Sequence, residues 1–303
     1  MIPESGEGFK SGFVGLVGRP NVGKSTLLNA LIGQKIAITS PVAQTTRNRL
    51  RGILTLPTAQ IVLVDTPGIH KPHHLLGQTI VKNAIGAISS VDATVLVVDG
   101  SDHMGTGDRF VAETILQSKA PAILGVNKID ILEEPAASEI LASYESFAVD
   151  HGWLVAKFSS VTGEGLEALK AMMCALLPEG PYYYPPDLVT DQPERFIMGE
   201  LIREQILLLT REEIPHSVAV SIDQVDEQPK ITRVMATVHV ERDSQKGILI
   251  GKKGQMLKEI GTQARHQMQK LIMGSVHLEI FVKVQPKWRS SRFQLSDLGY
   301  RVE

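Results

Sequence analysis

Gly18-Arg19-Pro20-Asn21-Val22-Gly23-Lys24-Ser25-Thr26 is the stretch whose reading decides the fold. Two glycines five positions apart precede Lys24 and Ser25, the spacing of a phosphate-binding loop. The context agrees: Phe13–Val17 reads as a short apolar strand before it, and Lys24–Ile32 as a helix after it. Glycines let the backbone wrap closely and aim its N–H groups at phosphate oxygens, and the helix adds its positive N-terminal end. Lys24 supplies a mobile charge for the outer phosphates, and the Ser25 hydroxyl suits Mg²⁺. A glycine-rich turn before any helix is the bland alternative, and the strand–loop–helix context disfavours it.

Working outward, Asp65-Thr66-Pro67-Gly68-Ile69 follows a predicted third strand. Asp65 can hold Mg²⁺ through water, and the Gly68 N–H can sense a γ-phosphate. Asn127-Lys128-Ile129-Asp130 follows a fifth strand. The Asp130 carboxylate can accept from both guanine N1–H and the N2 amine, a donor pair that adenine lacks. Lys128 can lay its stem over the base, and Asn127 can tie this loop to the first. Ser159-Ser160, after a sixth strand, is placed to contact the base oxygen through backbone N–H groups. Each short motif is weak alone; three in order, each after a strand, specify guanine nucleotide binding. An adenine-using kinase has no use for Asn127–Asp130. His70, Lys71, His73 and His74 cluster beyond Gly68 and read as a nucleotide-responsive loop rather than a metal site.

The rest of the first part alternates strand and helix. Arg51–Leu56, Ile61–Val64, Ala93–Val98, Ala122–Val126 and Leu154–Phe158 read as strands; Leu75–Ser90, Arg109–Gln117, Ala136–Val149 and Leu166–Leu177 read as helices. This pattern predicts an α/β domain with a mostly parallel sheet and helices on both faces, its ligand at the carboxyl ends of the strands. Between Pro178 and Pro193 lie five prolines and three consecutive tyrosines, a composition that ends helices. The expected division is therefore 1–180 for the nucleotide domain (core 11–177), 181–194 for a linker and 195–303 for a second, smaller α+β domain.

Bulk properties narrow the class. Apolar residues make up 43% of the 303, enough for two cores, and charged residues 21%, which excludes a disordered chain. Cys174 is the single cysteine, so internal disulfides and cysteine-based zinc sites are excluded; it reads as core filler. No run is long enough for a membrane span, and the first ten residues lack a secretory apolar core, so a cytoplasmic protein is expected. The net charge of −2 hides an asymmetry: residues 195–303 carry 17 Lys+Arg against 13 Asp+Glu, and 246–292 carry ten basic against two acidic residues. That excess reads either as a polyanion footprint or as a solvated basic face.

In the second part the predicted order is α-β-β-α-α-β, from Arg195–Leu209, Val218–Val225, Ile231–Glu241, Lys246–Ile250, Gln255–Ile272 and Val276–Val284. Between the last two helices, Ile250-Gly251-Lys252-Lys253-Gly254 resembles the GXXG loop of KH domains, which brings backbone and lysines to the phosphates of about four single-stranded nucleotides. A lone G-x-x-G arises by chance; the element order and the charge excess strengthen it, and the order is similar to the type II KH arrangement. Lys258, Lys287 and Arg289 are further RNA-binding candidates. Trp288 is open to two readings, a stacking platform or a cap on the core.

The nucleotide motifs resemble the translation-factor-related GTPases. Asn21 in the first loop and Thr45-Thr46-Arg47 before the second strand are similar to the Era-like and TrmE-like members. A TrmE-like protein would need a helical cofactor domain, which residues 195–303 do not predict. With the KH module, the chain is similar to Era-like GTPases from about Ser11 to about Leu298. The resemblance implies GTP hydrolysis to GDP and phosphate, with Mg²⁺ at Ser25, Asp65 and one of Thr45 and Thr46, Thr46 being preferred. It implies K⁺ at Asn21, and Asn21, Lys24, Thr46, Asp65 and Gly68 as the residues that act on the reaction. Ile69 stands where Ras-like enzymes carry the water-orienting Gln, so slow intrinsic turnover is expected. Arg47 and Arg49 read as either a finger or solvated loop charges. The implied partner is small-subunit (16S) rRNA near its 3′ end, in 30S subunit biogenesis, for a cytoplasmic monomer with peripheral contact with the plasma membrane.

Overall fold

In the computed structural model the described residues are 2–42, 45–68, 86, 88–118, 120–133 and 135–300. They form two compact units. Among described residues the first takes those up to 37, 46–68 and 86–191; the second takes 38–42, 45 and 192–300. Expected residues Ile69, His70, Lys71, His73 and His74, and most of the Leu75–Ser90 helix, lie outside the described residues.

The first unit is a six-stranded sheet: β1 (Lys10–Val17), β2 (Leu50–Leu56), β3 (Ala59–Asp65), β4 (Ala93–Asp99), β5 (Ala122–Asn127) and β6 (Leu154–Lys157). Their order is β2-β3-β1-β4-β5-β6, with only β2 antiparallel to its neighbour. Around it are α1 (Lys24–Ile32), α2 (Thr106–Ser118), α3 (Ala136–Asp150) and α4 (Leu166–Leu176). β3 is buried at every residue and β4 at all but its last, because strands covered on both faces must be apolar throughout. One core cluster joins Leu96 and Val98 of β4 to Val111 and Ile115 of α2 and to Ile140 and Tyr144 of α3. Each such side chain contributes about 1.5–3 kcal/mol on burial. With five strands parallel, the residues after β1, β3, β4, β5 and β6 share one edge, and every nucleotide motif falls there.

Of the expected linker 181–194, residues 181–191 belong to the first unit and 192–194 to the second. Residues 178–191 are a strap on the first unit. Ile53 N–H donates to Val189 O (2.8 Å), and the Gln60 amide accepts from Tyr183 and Tyr184 N–H and donates to Tyr184 O. Tyr182 packs on Phe9, Tyr183 on Phe13, and Arg51 pairs with Asp191 at 2.8 Å. The strap bridges the start of β1 at Lys10 through Glu179 and the edge strand β2 at Gly52 through Thr190. Cys174 is half-buried rather than core, and burial raises its thiol pKa.

The second unit contains α5 (Glu194–Leu209), α6 (Ile214–Ser217), β7 (Ala219–Gln228), β8 (Ile231–Val240), α7 (Asp243–Ile250), α8 (Gln255–Met268), β9 (Ser275–Val284) and α9 (Arg292–Asp297). The sheet is β7-β8-β9, antiparallel then parallel. Short α6 and α9 are additions to the expected order. Residues 38–42 and 45 also belong to this unit: Thr39 N–H donates to buried Glu204 (2.8 Å), and buried Arg203 donates to Thr45 O. Trp288 is fully buried with its indole N–H on Ser217 O, so it is a core cap.

Candidate nucleotide and nucleic-acid sites

The loop between β1 and α1 closes on its own lysine. Lys24 is buried, and Nζ donates to Gly18 O (3.0 Å) and Arg19 O (2.7 Å). Burial pushes its pKa down to about 8, against the pull of nearby Asp65. Asn21 sits exposed at the loop's tip in the left-handed region, φ 66°. Arg19 leaves the loop to pair with fully buried Asp108 of α2 at 2.7 Å. Val22 is buried beneath, and Pro20, Gly23 and Thr26 are half-buried.

Three oxygens converge below that loop. Ser25 Oγ donates to Asp65 Oδ2 (2.7 Å), Thr46 Oγ1 lies 2.9 Å from Ser25 Oγ, and Thr46 Oγ1 reaches the same carboxylate oxygen at 3.2 Å. Thr45 points elsewhere, donating to Val42 O at 2.6 Å. Asp65 is fully buried and its Oδ1 has no hydrogen-bond partner. Burial raises its pKa, with Lys24, Ser25 and Thr46 opposing. Thr66 is locked to Leu16 O through its hydroxyl (2.8 Å), and buried Pro67 leads to Gly68. A Cβ on Gly68 would come within 2.7 Å of the Pro20 nitrogen, so only glycine allows this approach to the phosphate loop. Arg47 is buried, which corrects the solvated reading of that residue.

The loop after β5 is built onto the same framework. Asn127 Nδ2 donates to Val22 O (2.8 Å), and its Oδ1 accepts from Ser160 N–H (3.0 Å) and Oγ (2.9 Å). One side chain thereby ties three loops together. Lys128 takes a left-handed backbone, φ 67°, and its ammonium meets Asp99 at 2.5 Å. Ile129 N–H donates to Phe158 O (3.4 Å), and Asp130 is exposed on the turn that follows. Ser159 Oγ accepts from Val161 and Thr162 N–H, shaping the 159–165 loop. Sequence reasoning missed Asp99 and Asp108; the available signal was a carboxylate closing β4 at the ligand edge of the sheet.

In the second unit the Ile250–Gly254 segment links α7 to α8. Gly251 (φ 70°), Lys253 (φ 53°) and Gly254 (φ 76°) all have positive φ. A Cβ on Gly251 would meet Met256 Cβ at 2.7 Å, so the glycine is required for space as well as conformation. Lys252 and Lys253 are exposed. Beside the loop an open groove is lined by Gly254, Leu257, Lys258, Arg265, Leu278 and Ile280, apolar at the floor and basic at the rim. Ile250 is half-buried and Lys287 exposed. Arg289 is committed elsewhere: its Nε donates to Glu241 at 3.0 Å and Nη1 to His216 O at 3.3 Å.

A buried lysine in a glycine loop, a hydroxyl–carboxylate cluster beneath it and a carboxylate-bearing loop braced against both define a P-loop GTPase, here followed by an RNA-type GXXG module. A family model described as 50S ribosome-binding GTPase matches residues 13–128, and a KH domain model matches 213–289. GTPase Era of Nostoc sp. is 66% identical over 302 residues, spanning 100% of this chain and 93% of that protein. GTPase Era of Synechocystis sp. is 63% identical over 302 residues, spanning 100% and 96%. The chain belongs to the Era family of GTPases. The crystal structure of Era in complex with MgGDPNP and nucleotides 1506–1542 of 16S ribosomal RNA matches with TM-score 0.92 and 37% identity, covering 97% of this chain and 100% of that one. A single-substitution variant of Aquifex aeolicus Era bound to GDP·AlF4⁻ matches with TM-score 0.92 and 36% identity over the same shares. Among the described residues no helix is long and apolar enough to cross a membrane.

Proposed function

We propose that this GTPase holds Mg²⁺–GTP at the Gly18–Thr26 loop and single-stranded small-subunit rRNA, near its 3′ end, in the groove beside Gly251–Gly254, and acts in 30S subunit assembly. The observation that carries the RNA assignment is that groove: lysines and positive-φ glycines at its mouth, an apolar floor for bases. The Era complex with nucleotides 1506–1542 of 16S ribosomal RNA, alike in fold over 97% of this chain, supports the same assignment.

The orphaned, buried Asp65 Oδ1 beside Ser25 and Thr46 fits a hard cation and little else, which favours Ser25, Asp65 and Thr46 as the residues around Mg²⁺. Bound there, Mg²⁺ supplies positive charge to the β- and γ-phosphates. Lys24 exchanges its two carbonyl partners for phosphate oxygens, and the Gly68 N–H accompanies the γ-phosphate as water displaces GDP from phosphorus. Asn21 would hold K⁺, which would supply positive charge to the transition state where Ile69 offers no hydrogen bond to the attacking water. Asp130 selects guanine, with the backbone of Ser159 and Ser160 at its oxygen.

The test is GTP hydrolysis in potassium and in sodium buffer, with and without an oligonucleotide matching the 3′ end of small-subunit rRNA. Binding of that RNA together with a changed rate supports the proposal. Turnover with no RNA binding would leave the GTPase and remove the ribosomal partner. Equal rates in the two buffers would remove K⁺.

A further inference from the structure

The carboxylate that closes β4 takes no part in the reading above. Asp99 lies opposite Asn127 in the β4–β5 register, and Gly100 N–H donates to Asn127 O at 2.8 Å. Its Oδ1 accepts from Ser101 N–H (3.1 Å) and Ser101 Oγ (2.6 Å), which leaves Oδ2 for the Lys128 ammonium at 2.5 Å. From behind, the fully buried Tyr144 ring sends its hydroxyl to Asp99 O (3.2 Å) and Asp102 O (3.0 Å). The acidic group is thus fixed on the sheet. Burial works against its ionisation, and the Lys128 and Ser101 bonds outweigh that, holding the carboxyl below the usual range.

We propose that Asp99 is a positioning residue for guanine recognition: it anchors the Lys128 ammonium so that the lysine stem lies extended, ready to cover one face of the purine. The inference rests on the assignment of Asn127–Asp130 as the guanine loop. A lysine stem on a left-handed backbone has four rotatable bonds and no local partner to orient it. A fixed carboxylate at its tip removes that freedom, so less is lost when a base is bound. The alternative is a plain staple between the ends of β4 and β5, which would act without Lys128.

Stopped-flow dissociation of a fluorescent GDP from the full-length protein with Mg²⁺ separates the two. Asp99→Asn keeps the shape and the acceptor for Ser101 while removing the charge. Dissociation should quicken roughly threefold to tenfold, the range for losing one charge-assisted bond. Asp99→Glu should recover most of the loss. In a Lys128→Met background, Asp99→Asn should add nothing. An equal acceleration in both backgrounds, or none in wild type, would overturn the inference while leaving the guanine loop intact. Lys128→Met indistinguishable from wild type would remove the stacked base itself, and the inference with it.

Discussion

The two glycine loops that we propose as phosphate sites place their lysines in opposite ways. The Gly18–Ser25 loop buries its lysine, surrounds it with carbonyls and is braced by Asn127; the Gly251–Gly254 loop leaves Lys252 and Lys253 in solvent. A buried charge is weakly screened and can be specific to one compact ligand. Exposed charges act through counterion release, suit a long polyanion and are salt-sensitive. The contrast teaches that where a glycine loop seats its lysine, buried or in solvent, sets the kind of anion it suits.

The comparison breaks first at Lys24. Lys24→Ala should weaken GTP binding by a factor on the order of a hundred to a thousand, as loss of a buried phosphate-facing charge does, with RNA affinity unmoved; titrating both ligands against one preparation checks it. Asp130→Asn should turn the preference from guanine to xanthine nucleotides by about a hundredfold, since xanthine presents a carbonyl where guanine has its amine. Competition between GDP and XDP measures that ratio, and an unchanged ratio refutes the role. Gly254→Asp has open space, with no atom within 4 Å of its Cβ position, but the φ of 76° strains any residue with a Cβ there, so Gly254→Ala is the control for charge. The added negative charge should cost RNA affinity about tenfold and flatten the salt dependence, while GTP binding stays as it was. Filter binding across a salt series reads both effects.

The smallest effect is a proton. Burial holds the Lys24 pKa down to about 8, and a triphosphate beside the ammonium would raise it, so binding near and above that value takes up a proton. Raising the pH therefore opposes binding: between pH ~7 and ~8.5 GTP affinity should fall about fourfold, whereas RNA affinity stays level. A flat profile would mean that Lys24 keeps its proton throughout this range.

Legibility followed the range of the interactions. The runs at β4 and β5 were legible because strands buried on both faces have no choice but to be apolar, and the three nucleotide motifs because their spacing is local. The strap was not: the prolines and tyrosines from Pro178 to Pro193 read as a linker, while its anchors, Gln60 and Arg51, are more than a hundred residues away in the chain. Arg289 looked free for RNA for the same reason, since Glu241 claims it only across the folded unit. Thr46 and Thr45 are not separable by residue type; only the fold gives their hydroxyls different partners, Ser25 and Asp65 for Thr46 and Val42 O for Thr45.

Asn21, Lys128 and Lys253 hold left-handed backbones without being glycine, one in each ligand loop. Such a conformation costs a residue with a Cβ on the order of 1 kcal/mol or more. These loops are therefore where the molecule trades durability for use. A screen for heat tolerance alone would drift toward glycine at these three positions, and its winners would be sturdier proteins with blunter sites.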